Sequence, residues 1–351
     1  MKIKISTILI ILYIVIAIIV FCKLVYPSLT GQIDIRAFND VDRYELIAKN
    51  TDISNYHALT NISNNTLGPV TILRLFNYNY TAIFVFNLSI LIFSIKLLFS
   101  YYQINKKIFL TFLFLNPSTM FSLCYANKEL LTLFTILLLI IYVKNRNFLL
   151  FILTVLVAYF SRWQLSLFII ITFICLTIDK FYKKRLLVFI LLISSISLAF
   201  PASAFFFNKV FAYAAKGEVV GSGIFQNMTQ IQHNYYGGYL IVFIPKLLQL
   251  LFGLLSRASL VTDLSAFWNN VVQFFNSVSF LILSLYLIYK KKINMQYILF
   301  YIAIIFSTIF ILTPIYSIRY FYGMYIILCV LAAQPVLKEQ LIPSNHNSVG
   351  M

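Results

Sequence analysis

Acidic side chains are scarce in this sequence. Asp and Glu together number 10 in 351 residues, against 27 Lys and Arg, and charged residues of both signs make up only 11% of the chain. A water-soluble domain carries about 25% charged residues, and no soluble core could hide a chain that is 61% hydrophobic, so composition excludes an ordinary soluble enzyme. Glycine and proline are scarce, with 10 and 8 copies, and no repeat period or low-complexity linker stands out. The four cysteines, Cys22, Cys124, Cys175 and Cys329, fall in or beside apolar runs without metal-ligand spacing or the look of a disulfide framework. The three histidines, His57, His233 and His346, fall in polar loops or the tail. There is no Gly-rich phosphate loop, no H-E-x-x-H, no G-x-S-x-G and no C-x-x-C pair.

What is present is apolar and long. Runs of about 20 apolar residues mark spanning helices, and they place spans near 5–26, 80–100, 108–125, 128–144, 148–162, 164–179, 186–207, 270–289, 297–316 and 321–337. The expected fold is an all-α polytopic membrane protein of about ten spans, one domain over 1–338, with a disordered tail at 339–351. The first run, after MKIK, lacks an A-x-A cleavage signal and reads as an uncleaved anchor. Lys2, Lys4, Lys106, Lys107, Lys144, Arg146, Lys180, Lys183, Lys184, Arg185, Lys290 to Lys292 and Lys338 all fall on one side, which the positive-inside rule makes cytoplasmic, with both termini there. Basic residues gathered this way orient helices and give no reason to expect nucleic acid. Residues 239–255 contain Pro245 and Lys246, and crossing there would put Lys290 to Lys292 outside; they read as an interfacial or re-entrant helix on the outer face. Two large outer loops result, near 27–79 and 208–269, while every cytoplasmic loop is too short for a nucleotide-binding fold.

Six of the eight arginines fall on the outer side: Arg36, Arg43, Arg74, Arg162, Arg257 and Arg319. So do Asp34, Asp40, Asp42, Glu45 and Asp52 of the first outer loop, with Glu129, Glu218 and Asp263; only Asp179 and Glu339 are cytoplasmic. Arginine's planar fork suits bidentate binding of phosphate and carboxylate, so an outward set of arginines with a few carboxylates points to an anionic substrate and acid/base chemistry; the competing account is ordinary solvated loop charges. Depth sharpens the choice. Only about 33 residues separate Arg146 from Lys180, where two crossings and a turn need about 40, so the turn from Ser161 to Gln164 must lie below the outer membrane surface or in a locally thinned region, holding Arg162 at depth. Lys128 and Glu129 then sit at the outer end of a helix beside Arg162, lining a recessed polar cavity, with Asn116 and Pro117 breaking the preceding helix. A Glu129–Arg162 pair that only holds the fold is the alternative. In the second outer loop, GEVVGSGIFQNMTQIQHNYYGG offers aromatic and amide groups suited to sugar rings, with His233 able to titrate near neutral pH.

These features resemble a known family. The D-x-D-R-Y stretch from Asp40 to Tyr44, the N-P…N-K-E hairpin from Asn116 to Glu129, the outward Arg162 and Arg319, and P-K-L-L-Q-L-L-F-G from Pro245 to Gly253 are similar to the multi-spanning GT-C glycosyltransferases. Within these they most resemble the bacterial O-antigen and capsule polymerases of the Wzy type. The resemblance implies a GT-C-like enzyme of the bacterial inner membrane that polymerises undecaprenyl-pyrophosphate-linked oligosaccharide at the periplasmic face. Membrane lipid and a chain-length regulator protein would be its partners, and no metal or other cofactor is called for. Asp40, Asp42 and then Glu129 are the candidate general bases. Arg162, Arg319 and Lys128 are the candidate pyrophosphate ligands, followed by Arg43, Arg74 and Arg257, with His233 near the sugar. The rival expectations are a GT-C transferase adding one sugar from a polyprenyl-phosphate donor, a lipid-linked oligosaccharide flippase, and a membrane acyltransferase.

Overall fold

A computed structural model describes residues 4–33, 40–50, 65–177, 184–202, 223–262, 266–313 and 315–335. Asp34, Arg36, Asp52, His57, Asp179, Glu218, Asp263 and Glu339 lie outside these residues, as do the 339–351 tail and Lys2, Lys180, Lys183 and Lys338 of the basic side. The described residues are helical throughout, with no strand among them. In chain order the helices are α1 (Ile5–Leu29), α2 (Val41–Asn50), α3 (Leu67–Leu75), α4 (Tyr80–Tyr101), α5 (Lys106–Leu115), α6 (Pro117–Cys124), α7 (Lys128–Asn145), α8 (Phe148–Ser161) and α9 (Trp163–Thr177). They continue with α10 (Arg185–Ala202), α11 (Gly223–Asn234), α12 (Gly238–Phe252), α13 (Leu254–Leu260), α14 (Phe267–Tyr289), α15 (Ile298–Phe310), a single 3₁₀ turn (Ile318–Phe321) and α16 (Tyr322–Ala333).

Asparagine sets many of the helix starts. Asn79, Asn105, Asn116 and Asn147 each precede a helix in extended backbone and accept hydrogen bonds from first-turn N–H groups; Asn127 does so from Lys128 N. A short side-chain acceptor supplies what those donors lack inside the helix. The break between α5 and α6 follows the same logic. Asn116 before a proline is pushed to extended backbone, Pro117 opens the next helix where no N–H is needed, and the axes bend by 72°. The exposed polar groups are answered from α14: Asn116 Nδ2 donates to Ser279 Oγ at 3.2 Å and Asn276 Nδ2 to Ser118 Oγ at 2.8 Å. At the far end of α6, Asn87 Nδ2 donates to Leu123 O and Tyr125 O at 3.0 and 2.9 Å, closing that helix against α4.

Nine of the ten expected spans overlap a single helix and 108–125 overlaps the bent pair α5–α6, but their lengths differ. Three helices, α1, α4 and α14, are individually long and apolar enough to cross a membrane, or five if the bent pairs α5–α6 and α12–α13 each count as one span. Five others are apolar but shorter. The core is filled by α7, α15 and α16, with Leu133, Leu139, Tyr301, Phe306, Tyr325 and Leu331 closed to solvent. In contrast, α1 and α10 turn isoleucines and leucines outward, Ile19 and Leu198 among them. The cysteines are free: Cys22 is exposed and the other three buried.

Helix direction gives the bundle two ends. Asn105 N bonds to Ala333 O at 2.9 Å, Arg146 Nη1 to Leu176 O at 3.3 Å and Lys144 to Tyr101 O, so Lys106, Lys144 and Arg146 share one end with the C-termini of α4, α9 and α16. The other end collects the N-termini of α4 and α7, the C-termini of α8 and α15, and the 3₁₀ turn. There α3 lies so close over α8 that a Cβ on Gly68 would stand 2.5 Å from Phe160 O.

Candidate functional site

The second end holds the buried charges. The chain reverses between α8 and α9 through one extended residue, Arg162. Its backbone N–H still bonds to Ala158 O at 2.7 Å, and its side chain is carried under the start of α7. Thr132 Oγ1 and Ser161 Oγ both donate to Lys128 O, at 2.9 and 3.2 Å, and pin the first turn of α7 to the last of α8. Arg162 Nη2 then meets Glu129 Oε1 at 2.9 Å, with both side chains almost fully buried. The guanidinium stacks on Tyr320, 4.7 Å from the ring centroid.

Beside this pair, Asp40 receives Arg319 Nη2 at 3.0 Å and lies 3.9 Å from Lys128 Nζ. Tyr44, one turn further along α2 and 1% exposed, donates its hydroxyl to Asp40 Oδ2 at 3.5 Å, and Lys128 sits over its ring at 5.8 Å. Burial alone would raise the Asp40 carboxyl. Arg319, Lys128, the Arg319 hydrogen bond and Arg162 outweigh that and hold it well below the usual carboxylate range. The Tyr44 hydroxyl is pushed well above its ordinary value, first by burial and then by Asp40 and Glu129.

Three cations and two carboxylates therefore meet from four distant parts of the chain, and N–H donors outnumber acceptors. Arg162 Nε and Nη1 and Asn127 Nδ2 are buried without a hydrogen-bond partner among the described residues, as is one acceptor, Glu129 Oε2. A buried donor left unmatched is costly, so the arrangement can take up a small anion or an oxygen-rich group with little rearrangement. In place of the open recess expected around Lys128 and Glu129, the site is packed: Glu129 is 0% and Arg162 3% exposed, and Asp40, with 31% of its side chain accessible, is its most open charged member.

The other sequence candidates are not in this cluster. Asp42 and Arg43 are exposed on α2, where the Asp42 charge bears on Tyr80. Arg74 donates through Nε and Nη2 to Ala48 O at 2.8 and 2.6 Å, fastening α3 to α2. Arg257 is buried elsewhere, donating to Ser277 Oγ at 2.6 Å and Leu250 O at 2.7 Å beneath Tyr316. His233 lies on α11. Sequence reasoning missed Tyr320, the ring under Arg162, and gave Tyr44 no role, although its spacing four residues after Asp40 on a helix was a usable signal. Among the described residues no group of three or more His, Cys, Asp or Glu side chains is placed to hold a metal ion. No family, no curated protein and no solved structure matches the chain.

Proposed function

We propose that this chain is a polytopic membrane glycosyltransferase that polymerises lipid-pyrophosphate-linked oligosaccharide units, as the O-antigen and capsule polymerases it resembles do. On this reading it has about ten spans, the basic end and both termini face the cytoplasm, and the ion cluster faces the periplasm. One observation carries the proposal: Asp40, Lys128, Glu129, Arg162 and Arg319 converge at the end opposite the lysine-rich side. Depth supports it as well. The 14 residues of α8 reach only about 21 Å, short of the roughly 30 Å hydrocarbon layer, so on this reading a cluster at the end of α8 lies in a recess just beneath the lipid headgroups.

The chemistry is a displacement at the anomeric carbon of the donor sugar. The acceptor hydroxyl loses its proton to a carboxylate as its oxygen bonds that carbon, the bond to the pyrophosphate oxygen breaks, and negative charge develops on the leaving group. Arg319, Arg162 and Lys128 are fixed in advance for that charge, the usual source of large transition-state stabilisation. Between the carboxylates, Asp40 is a weak base because its cations hold it ionised, and a useful base has a pKa near the working pH. Glu129 keeps Oε2 without a partner among the described residues and so offers a free acceptor atom for the proton, which reverses the preference drawn from sequence.

The test is made in cells. Arg319→Lys keeps the charge and loses the fork, and is expected to lower polymer output about 10²-fold with protein levels unchanged. Deleting the gene is expected to leave single repeat units on the lipid core. Wild-type chain lengths in Arg319→Lys, Arg162→Lys and Glu129→Gln together would remove the site, and complete loss of surface units on deletion would make the chain a flippase.

A further inference from the structure

A second group of buried cations lies outside the cluster. Lys246, at the middle of α12, is 0% exposed, and Arg257, on α13, is 1% exposed. Neither has a carboxylate within salt-bridge distance among the described residues. They are joined by two rings: Lys246 lies 5.0 Å from the Phe225 centroid, Phe225 is 5.1 Å from Tyr316, and Tyr316 is 4.6 Å from the Arg257 guanidinium. Lys246 Nζ donates to Gln232 Oε1 at 2.7 Å and Thr313 O at 3.0 Å.

The donor count does not close. Gln232 spends its one acceptor on Lys246, leaving Nε2 buried without a partner, and Arg257 Nε is likewise unmatched. Lys292 shows what a closed count looks like: equally buried, it donates to three backbone carbonyls, those of Leu331, Ala332 and Gln334. A buried cation without a counter-charge is costly, and the unmatched atoms beside Lys246 and at Arg257, Gln232 Nε2 and Arg257 Nε, are both donors. Next to it the exposed face of α12 carries Leu240, Ile241, Ile244 and Leu248, each at least half exposed. That is an apolar track of helical spacing along which a lipid chain can lie. Tyr316 and Tyr320, four residues apart, sit under Arg257 and Arg162, so this group adjoins the first cluster through one short segment.

We infer that Lys246, Gln232 and Arg257 form a second anion site, which takes the phosphate-bearing headgroup of a lipid whose tail runs along α12. Entry requires α11, which carries Phe225 and Gln232, to move off α12. The assignment of the lipid rests on the polymerase reading, in which a donor and an acceptor, each with its own pyrophosphate, are held at once; the anion site itself rests only on the donor surplus.

The test counts bound lipid on the full chain in nanodiscs of phosphatidylcholine, with undecaprenyl pyrophosphate as probe. Wild type is expected to bind two equivalents. Gln232→Glu places a carboxylate on Lys246 without changing shape, and is expected to keep or raise the melting temperature and lose one equivalent; Arg257→Met should weaken the same equivalent at least tenfold. Loss of that equivalent when phosphatidylglycerol replaces part of the neutral lipid supports the site with an ordinary phospholipid as occupant, and its persistence supports the pyrophosphate lipid. Two equivalents retained in Gln232→Glu, or a single wild-type equivalent lost only in Arg319→Lys, overturns the inference. A single equivalent lost in Gln232→Glu and kept in Arg319→Lys leaves this site standing and removes the first.

Discussion

At one end of the bundle Lys144, Arg185 and Lys292 meet backbone carbonyls, and at the other Arg162, Arg319 and Lys128 meet carboxylates. Lys292 is bonded to the last turn of α16, with Leu331 O at 3.1 Å and Ala332 O at 2.8 Å. Lys144 is bonded to Tyr101 O at the end of α4, and Arg185 to Met295 O and Gln296 O, both at 2.6 Å. The acceptors of Lys292 and Lys144 are carbonyls at helix C-termini, which lack intrahelical donors and carry the negative end of the dipole, so a cation there completes the helix and is itself completed; those of Arg185 lie in the turn before α15. Nothing in that arrangement calls for a ligand. Arg162 and Lys128 instead depend on Glu129 and Asp40, side chains delivered from separate segments, with donors left over. At the basic end, cations matched by carbonyls hold the fold, while the carboxylate-matched cations at the other end can exchange an internal anion for one that arrives.

The sharpest way to break this comparison is Glu129→Leu. It leaves Arg162 buried and alone, and is expected to cost about 3–5 kcal/mol of unfolding free energy, with Arg162→Met in the same chain recovering most of it. Denaturant unfolding in detergent measures both; a loss below about 1 kcal/mol for the single variant would mean that Arg162 finds another partner and the pair is not what holds the α7–α8–α9 junction. The matching change at the basic end, Lys292→Met, strips donors from three carbonyls and is expected to cost about 1–3 kcal/mol without altering pyrophosphate binding. Weakened binding in Lys292→Met would erase the distinction between the two ends.

Much of this was legible in the residues. Apolar run length located the helices from α4 to α9, and the shortage of chain between Arg146 and Lys180 pointed to the tight turn at Arg162, whose side chain is buried. The Asn-Pro break at 116–117 was legible because both residues restrict the same backbone. What stayed hidden was pairing across distance. Nothing local distinguishes Arg319, which reaches Asp40, from Arg257, which caps α12 at Leu250 O and joins α14, since both lie in short segments that follow an apolar helix. Lys246 was read as a reason for α12 not to cross the membrane; its burial became visible only when Gln232 and Thr313 were found to meet it. Asn79, Asn105, Asn127 and Asn147 were open to a capping argument from sequence, and the strength of the apolar signal obscured them.

The smallest expected effect falls on Asp40, the member of the cluster most open to solvent. Its ion pair with Arg319 is partly exposed, so Asp40→Asn is expected to cost about 1 kcal/mol or less. The sign with pH is fixed by the depressed carboxyl. The unfolded chain binds the proton near pH 3.9 and the folded chain only at lower pH. The stabilisation is therefore complete above about pH 4 and is lost as pH falls from there through the folded value. Wild type and Asp40→Asn should differ most at neutral pH and converge in acid, which melting curves between pH 7 and pH 3 would show; a difference that grows in acid contradicts the ion pairing. The same substitution tests exchange. If the Asp40 carboxylate occupies the place of an incoming anion, removing its charge releases Arg319 and Lys128, and inorganic pyrophosphate should bind several-fold more tightly. Weaker binding would make Asp40 part of the recognition surface, with only Glu129 left in the cluster as the anion that yields.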